Sequence, residues 1–163
     1  MSGPAQDAVF MRRAIDLALS RMGETWPNPA VGCVLVKDGV VLAEAATAPG
    51  GRPHAEEQAV PEAGEAVKGA TAYVTLEPCG ARSSGRKSCA HFLAEAGVER
   101  VVIAALDPSP FASGRGTERL RQSGLTVETG LLCEEASVLS EGFLHRLETV
   151  SYTHLTLPTI LLV

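Results

Sequence analysis

The chain predicts a three-layer α/β/α sandwich around a five-stranded mixed sheet. Three observations lead there. Apolar runs of strand length alternate with helical patterns. One pair of strands is joined by a tight hairpin, and the later strands are separated by helices. At 163 residues and 45% hydrophobic content, the chain is long enough for one domain with a full core. Only 4% of it is aromatic, so aliphatic residues and alanine must build that core.

Each element has its own signal. From Asp7 to Arg21, Phe10, Ala14, Leu17 and Ala18 recur at helical spacing. Trp26-Pro27-Asn28-Pro29 breaks that pattern into a loop. Val31 to Val36 is a short apolar run, Asp38-Gly39 is a strong hairpin turn, and Val40 to Ala45 returns as a second strand. A helix is expected to start at His54. Pro61 should break or kink it between Glu57 and Pro61, because proline lacks the N–H that the turn requires. Thr71 to Leu76 reads as the third strand. A helix from Cys89 to Ala96 stops at Gly97, and Val101 to Ala104 forms a buried fourth strand. Thr117 to Gln122 is helical and closed by Gly124, and Leu125 to Glu128 is the fifth strand. A last helix aligns Leu132, Ala136, Leu139, Phe143 and Leu147.

Residues 150–163 depart from this pattern. Val150 to Thr159 resembles the translation of a transposase sequencing adapter. The reading is therefore a domain over 1–149 and a non-native tail over 150–163, with the natural coding sequence interrupted near Thr149. Strand-like composition in Leu155 to Val163 is the alternative.

The net charge of −5 argues against a nucleic-acid partner. No apolar stretch reaches the ~20 residues that a membrane span needs, and no signal peptide is evident at Met1 to Asp7. Four cysteines, two of them in a metal motif, suit a reducing cytoplasm. Homo-oligomerisation is left open. Cys33 and Cys133 read as core thiols, and His91 and His145 as surface residues. Trp26 suits either a pocket wall or packing on the first helix.

The chemistry is carried by His54-Ala55-Glu56, answered by Glu77-Pro78-Cys79 and by Cys89. One imidazole and two thiolates form a three-ligand zinc set that keeps a fourth position for water. Glu56 stands beside it as the proton shuttle and not as a ligand. Its work would be to take a proton from water and deliver protons to a ring nitrogen and a departing amine. His-x-Glu followed by Pro-Cys and a further Cys is the signature of zinc nucleobase deaminases. Tetrahedral bonds of about 2.0–2.3 Å require the His54, Cys79 and Cys89 donor atoms to lie roughly 3–4 Å apart. His54 and Glu56 can share the site only if a helix end points at the metal, because i and i+2 face apart on a helix.

Nine residues, Gly80 to Ser88, separate the two cysteines. Cytidylate, guanine and transfer-RNA adenosine deaminases typically have two there. The long loop resembles the deaminase domain of bifunctional riboflavin-biosynthesis proteins, within the cytidine-deaminase-like superfamily. So do Pro27 to Val34, Ala70 to Cys79, Ala96 to Val102, Asp107-Pro108 and Gly114-Arg115-Gly116. That resemblance implies zinc-dependent hydrolytic deamination of 2,5-diamino-6-(5-phosphoribosylamino)pyrimidin-4(3H)-one, a small phosphoribosylaminopyrimidine. It implies that Asn28 meets the pyrimidine, that Arg82, Arg86 or Lys87 meets the ribose phosphate, and that Asp107 lies near the sugar. Ser109 and Arg115 fall in the same substrate-contact segments. Here Ser109 replaces an asparagine usual in the family, Thr47 replaces a histidine, and the metal loop lacks the family's histidines. The family normally continues into an NADPH-binding reductase domain, which this chain lacks, so reductase activity would come from elsewhere. The alternatives are another zinc deaminase, acting on a free base, nucleoside or nucleic acid, and a non-catalytic relative with a fourth protein ligand on zinc.

Overall fold

The computed structural model describes residues 3–82, 84–109 and 112–141. Five strands form one sheet in the order β2-β1-β3-β4-β5. β1 (Gly32–Lys37) lies antiparallel to both β2 (Val40–Ala46) and β3 (Thr71–Leu76). β3, β4 (Arg100–Ala105) and β5 (Thr126–Thr129) run parallel. The sheet is therefore mixed and five-stranded, as the sequence predicts.

Helices cover both faces. α1 (Pro4–Leu19) and α5, helical over 133–141, pack on one side. α2 (Ala55–Ala63), α3 (Cys89–Ala96) and α4 (Arg115–Gln122) pack on the other. Strand alternation explains the division, since successive side chains leave opposite faces. In β4, Val101 and Ile103 join the α2/α3/α4 core, while Val102 and Ala104 join the α1/α5 core. All six β4 residues are buried, as expected of a parallel strand covered on both sides.

Element boundaries moved by a few residues. α1 starts at Pro4 instead of Asp7, because proline suits the first helical position, where its missing N–H has no partner to lose. Its buried face centres on Met11, Ala14, Ile15 and Ala18, with Phe10 and Leu17 only partly covered. Ala14 rides on β1 so closely that a Cβ at Gly32 would fall 1.9 Å from its carbonyl oxygen. Asp38 and Gly39 both have positive φ, 51° and 76°, the conformation a two-residue hairpin of this hand requires.

The expected break in α2 is absent. The helix runs through Pro61 to Ala63 before tightening into a 3₁₀ turn over Gly64–Val67. Pro61 is exposed, and the α-helix ends two residues beyond it. Cys133 is likewise not a core thiol. It is exposed at the start of α5, with Sγ 3.9 Å from Ser137 Oγ. Phe143, His145, Leu147 and the proposed foreign tail lie outside the described residues.

One buried polar network links four elements. The Tyr73 hydroxyl donates to Asp7 Oδ1 at 2.6 Å, and Arg100 grips both Asp7 oxygens while also reaching Glu128. The Arg100 hydrogen bond holds the Asp7 carboxyl below its ordinary range, and the Tyr73 hydroxyl assists against the opposing effect of burial.

Candidate metal centre and substrate cleft

β3 ends at Leu76, and the chain turns through Glu77-Pro78 into the loop that carries Cys79. His54 is the N-cap of α2, with extended backbone (φ −69°, ψ 163°), and Cys89 is the first residue of α3. Two helix N-termini and one strand end thus converge. Helix N-termini favour thiolate charge through their free N–H groups. The Cys89 N–H donates to Cys79 Sγ at 3.1 Å, and the Ala90 N–H donates to the Cys79 carbonyl at 3.1 Å.

His54 Nδ1 lies 3.2 Å from Cys89 Sγ, and the three donor atoms of His54, Cys79 and Cys89 all lie within 4.8 Å of one another. Tetrahedral zinc with one nitrogen and two sulfur ligands asks for separations of roughly 3–4 Å. The donor set suits that ion, and among the described residues the group has three members, with no fourth protein ligand. Ionisation is asymmetric: hydrogen bonding from the Cys89 thiol pulls the Cys79 thiol pKa down, and the same pairing pushes Cys89 up.

Glu56, the second residue of α2, is 2% exposed. Burial raises its pKa, opposed by its backbone hydrogen bond and by His54. A buried carboxyl beside a metal set is placed to exchange protons with a group held there. Cys33 lies buried in β1, its thiol pKa raised by burial and then by the Glu56 charge.

The three cations of the metal loop do not form one patch. The Arg82 side chain is 5% exposed; Nη1 donates to Glu57 Oε1 at 2.8 Å, and Nη2 approaches His54 Nδ1 at 3.3 Å and Cys89 Sγ at 3.5 Å. Glu57 in turn accepts the His54 backbone N–H at 2.7 Å, so Arg82 braces the histidine through its cap. Lys87 is an exposed ion-pair partner of Glu95 on α3, and Arg86 is exposed. Arg115 is also exposed, at the start of α4.

Asn28 is half-buried, with Nδ2 donating to the Gly51 carbonyl at 2.7 Å. Thr47, where a histidine was expected, is 1% exposed. Its hydroxyl accepts the Val31 N–H at 3.0 Å and so fixes the Asn-Pro loop from beneath. Asp107 follows β4 and accepts the Ser109 N–H at 2.8 Å. Burial raises its pKa, with the Glu77 and Cys79 charges adding to the effect.

Sequence reasoning gave Glu77 no role. The carboxylate is 5% exposed and receives donors from two other segments. Oε2 accepts the Gly114 N–H at 2.9 Å and the Asp107 N–H at 3.4 Å, while Oε1 accepts the Thr117 hydroxyl at 2.9 Å and its N–H at 3.3 Å. Its place beside Pro78-Cys79 was visible, but partners 30 to 40 positions away were not.

A His/Cys/Cys cluster at two helix N-termini and one strand end, with a buried carboxylate next to the histidine, defines a zinc-site deaminase architecture. The chain belongs to the cytidine and deoxycytidylate deaminase zinc-binding family, which matches residues 4–105. Within that class it is similar to the diaminohydroxyphosphoribosylamino-pyrimidine deaminase of Buchnera aphidicola from Acyrthosiphon pisum. The two are 43% identical over 145 residues, covering 88% of this chain and 97% of that protein. It is also 48% identical, over 143 residues, to riboflavin biosynthesis protein RibD of Haemophilus influenzae, covering 88% of this chain and 38% of that protein. The chain thus spans well under half the length of that relative. Acinetobacter baumannii RibD superposes with a TM-score of 0.84 at 44% identity, covering 90% of this chain and 41% of that one. The fold is cytidine-deaminase-like. No helix among the described residues is long and apolar enough to cross a membrane.

Proposed function

We propose that this chain is a zinc-dependent deaminase that converts 2,5-diamino-6-(5-phosphoribosylamino)pyrimidin-4(3H)-one to its oxo product and ammonia, a step in riboflavin biosynthesis. The observation that carries the reading is the convergence of His54, Cys79 and Cys89 beside buried Glu56. Likeness to the Buchnera enzyme, a relative of nearly the same length, supports the substrate.

His54, Cys79 and Cys89 would hold the zinc, which when bound acts as a Lewis acid and lowers the pKa of a water to about 7. Glu56 accepts the proton that water loses as its oxygen bonds to the ring carbon. Glu56 passes that proton to the ring nitrogen, then takes the second proton from the hydroxyl now on the carbon and gives it to the amine as the C–N bond breaks, so that water and C–NH2 become C=O and NH3. Arg82 keeps His54 and the metal loop in register through Glu57. Asn28, Asp107 and Ser109 border the pyrimidine and sugar, and of the four candidate cations exposed Arg86 and Arg115 are assigned to the phosphate, since Lys87 is ion-paired with Glu95 and Arg82 with Glu57. The catalytic unit is assigned to residues 1–149. We place it in the cytoplasm, where the ligating thiols stay reduced.

The test is zinc content together with ammonia release from the diaminopyrimidine phosphate, with cytidine and adenosine as controls. Stoichiometric zinc and turnover of the first substrate alone are expected. A zinc-free active protein, or preference for cytidine or adenosine, overturns the reading.

A further inference from the structure

A single carboxylate joins the metal strand to the segment after β4 and to the start of α4. Glu77 leaves the end of β3 two residues before Cys79, and the hydrogen bonds of its carboxylate go to two other segments. These are Asp107, just after β4, and Gly114 and Thr117 at the start of α4. Three of the four donors are backbone N–H groups, so what Glu77 holds is the path of the chain and not one side chain. Two of those N–H groups belong to the α4 N-terminus, whose dipole favours the buried negative charge.

Packing at the same seam leaves no slack. A Cβ on Gly116 would lie 1.7 Å from the Pro78 carbonyl oxygen, and a Cβ on Gly80 would lie 2.8 Å from the Arg115 carbonyl carbon. The α4 N-terminus is therefore seated directly on the loop that delivers Cys79. Whatever substrate atoms meet Asp107 and Ser109 are positioned relative to the metal ligands through this contact.

We propose that Glu77 is a positioning residue for substrate: it sets the distance between the Cys79 loop and the Asp107 and α4 N-terminal segments, acting on the part of the substrate remote from the reacting carbon. This rests on the deaminase reading above. Glu77→Gln keeps the size but turns an amide NH2 towards N–H donors, so those segments lose one of their two anchors. Thr117→Val removes the hydroxyl donor alone and keeps the shape.

The experiment compares wild type, Glu77→Gln and Thr117→Val by zinc content, steady-state kinetics on the diaminopyrimidine phosphate, and amide hydrogen exchange over 106–117. The expected result is unchanged zinc, KM raised about tenfold in Glu77→Gln and less in Thr117→Val, kcat within about threefold of wild type, and faster exchange at Gly114 and Thr117. A purely structural brace would lower zinc content and kcat together, and that outcome overturns the proposal. So does unchanged KM with unchanged exchange. If Glu77→Gln does not fold, Thr117→Val decides by the same readings. An inactive but zinc-loaded wild type refutes the substrate reading, whereas an active wild type with indifferent variants refutes only the role of Glu77.

Discussion

Arg100 holds Asp7 in a two-pronged grip across 93 positions of sequence, Nη1 at 3.0 Å from Oδ1 and Nη2 at 2.6 Å from Oδ2. Such paired hydrogen bonds between ions are short and directional. The grip ties α1 to the start of β4, on the face of the sheet where Tyr73 also reaches Asp7.

Asp7→Asn is expected to destabilise the fold by about 3 kcal/mol, because a buried guanidinium loses its main counter-ion. The folded-state pKa of Asp7 lies below its unfolded value. Its contribution is therefore complete above the unfolded pKa and is lost as pH falls through the folded one. Urea midpoints of the two proteins should differ at pH 7 and converge on acidification. Equal midpoints at pH 7 would show that the pair contributes nothing net.

Glu56→Gln should retain zinc and lose kcat by at least about a hundredfold, the scale of general acid–base catalysis. Cys79→Ala should lose both metal and turnover. Metal analysis beside ammonia release separates the two. A Gln variant that deaminates near the wild-type rate removes Glu56 from the mechanism.

Gly116→Ala should cost about 2–3 kcal/mol, the range for forcing volume into a closed contact, since the added Cβ meets the Pro78 oxygen at 1.7 Å. Because Pro78 adjoins Cys79, zinc affinity should fall with stability. Thermal melts with and without zinc measure both. A variant as stable as wild type would mean the seam is looser than described.

Stripping the metal with a chelator should lower the unfolding free energy. Zinc held at a hundred times its dissociation constant adds about 2.7 kcal/mol. Denaturant midpoints should drop on chelation and recover on adding zinc, and a midpoint indifferent to zinc would argue against a site formed by folding.

The metal set was legible because its members are unusual residues in a fixed order at helix and strand ends. The strands were legible because Val101 to Ala104 and Val31 to Val36 are apolar on both faces. What stayed hidden depends on partners distant in the chain. Asp7 reads as an ordinary first-turn acid until Arg100 and Tyr73 arrive. Thr47 and Glu77 look unremarkable until the loops they bind are placed. The break expected before Pro61 is not there: α2 continues through it to Ala63 and then tightens into the 3₁₀ turn of Gly64–Val67.

The loop between Cys79 and Cys89 presents Arg86 and Lys87 to solvent, both residues after which trypsin cuts. With both thiols on one ion, a cut at either site would sever the backbone without parting the ends. The nicked protein should travel as one species in native separation and fall into two peptides only under denaturing conditions with the ion withdrawn. The centre would then act as a clasp, letting this loop vary in length and composition while the two sulfurs stay together.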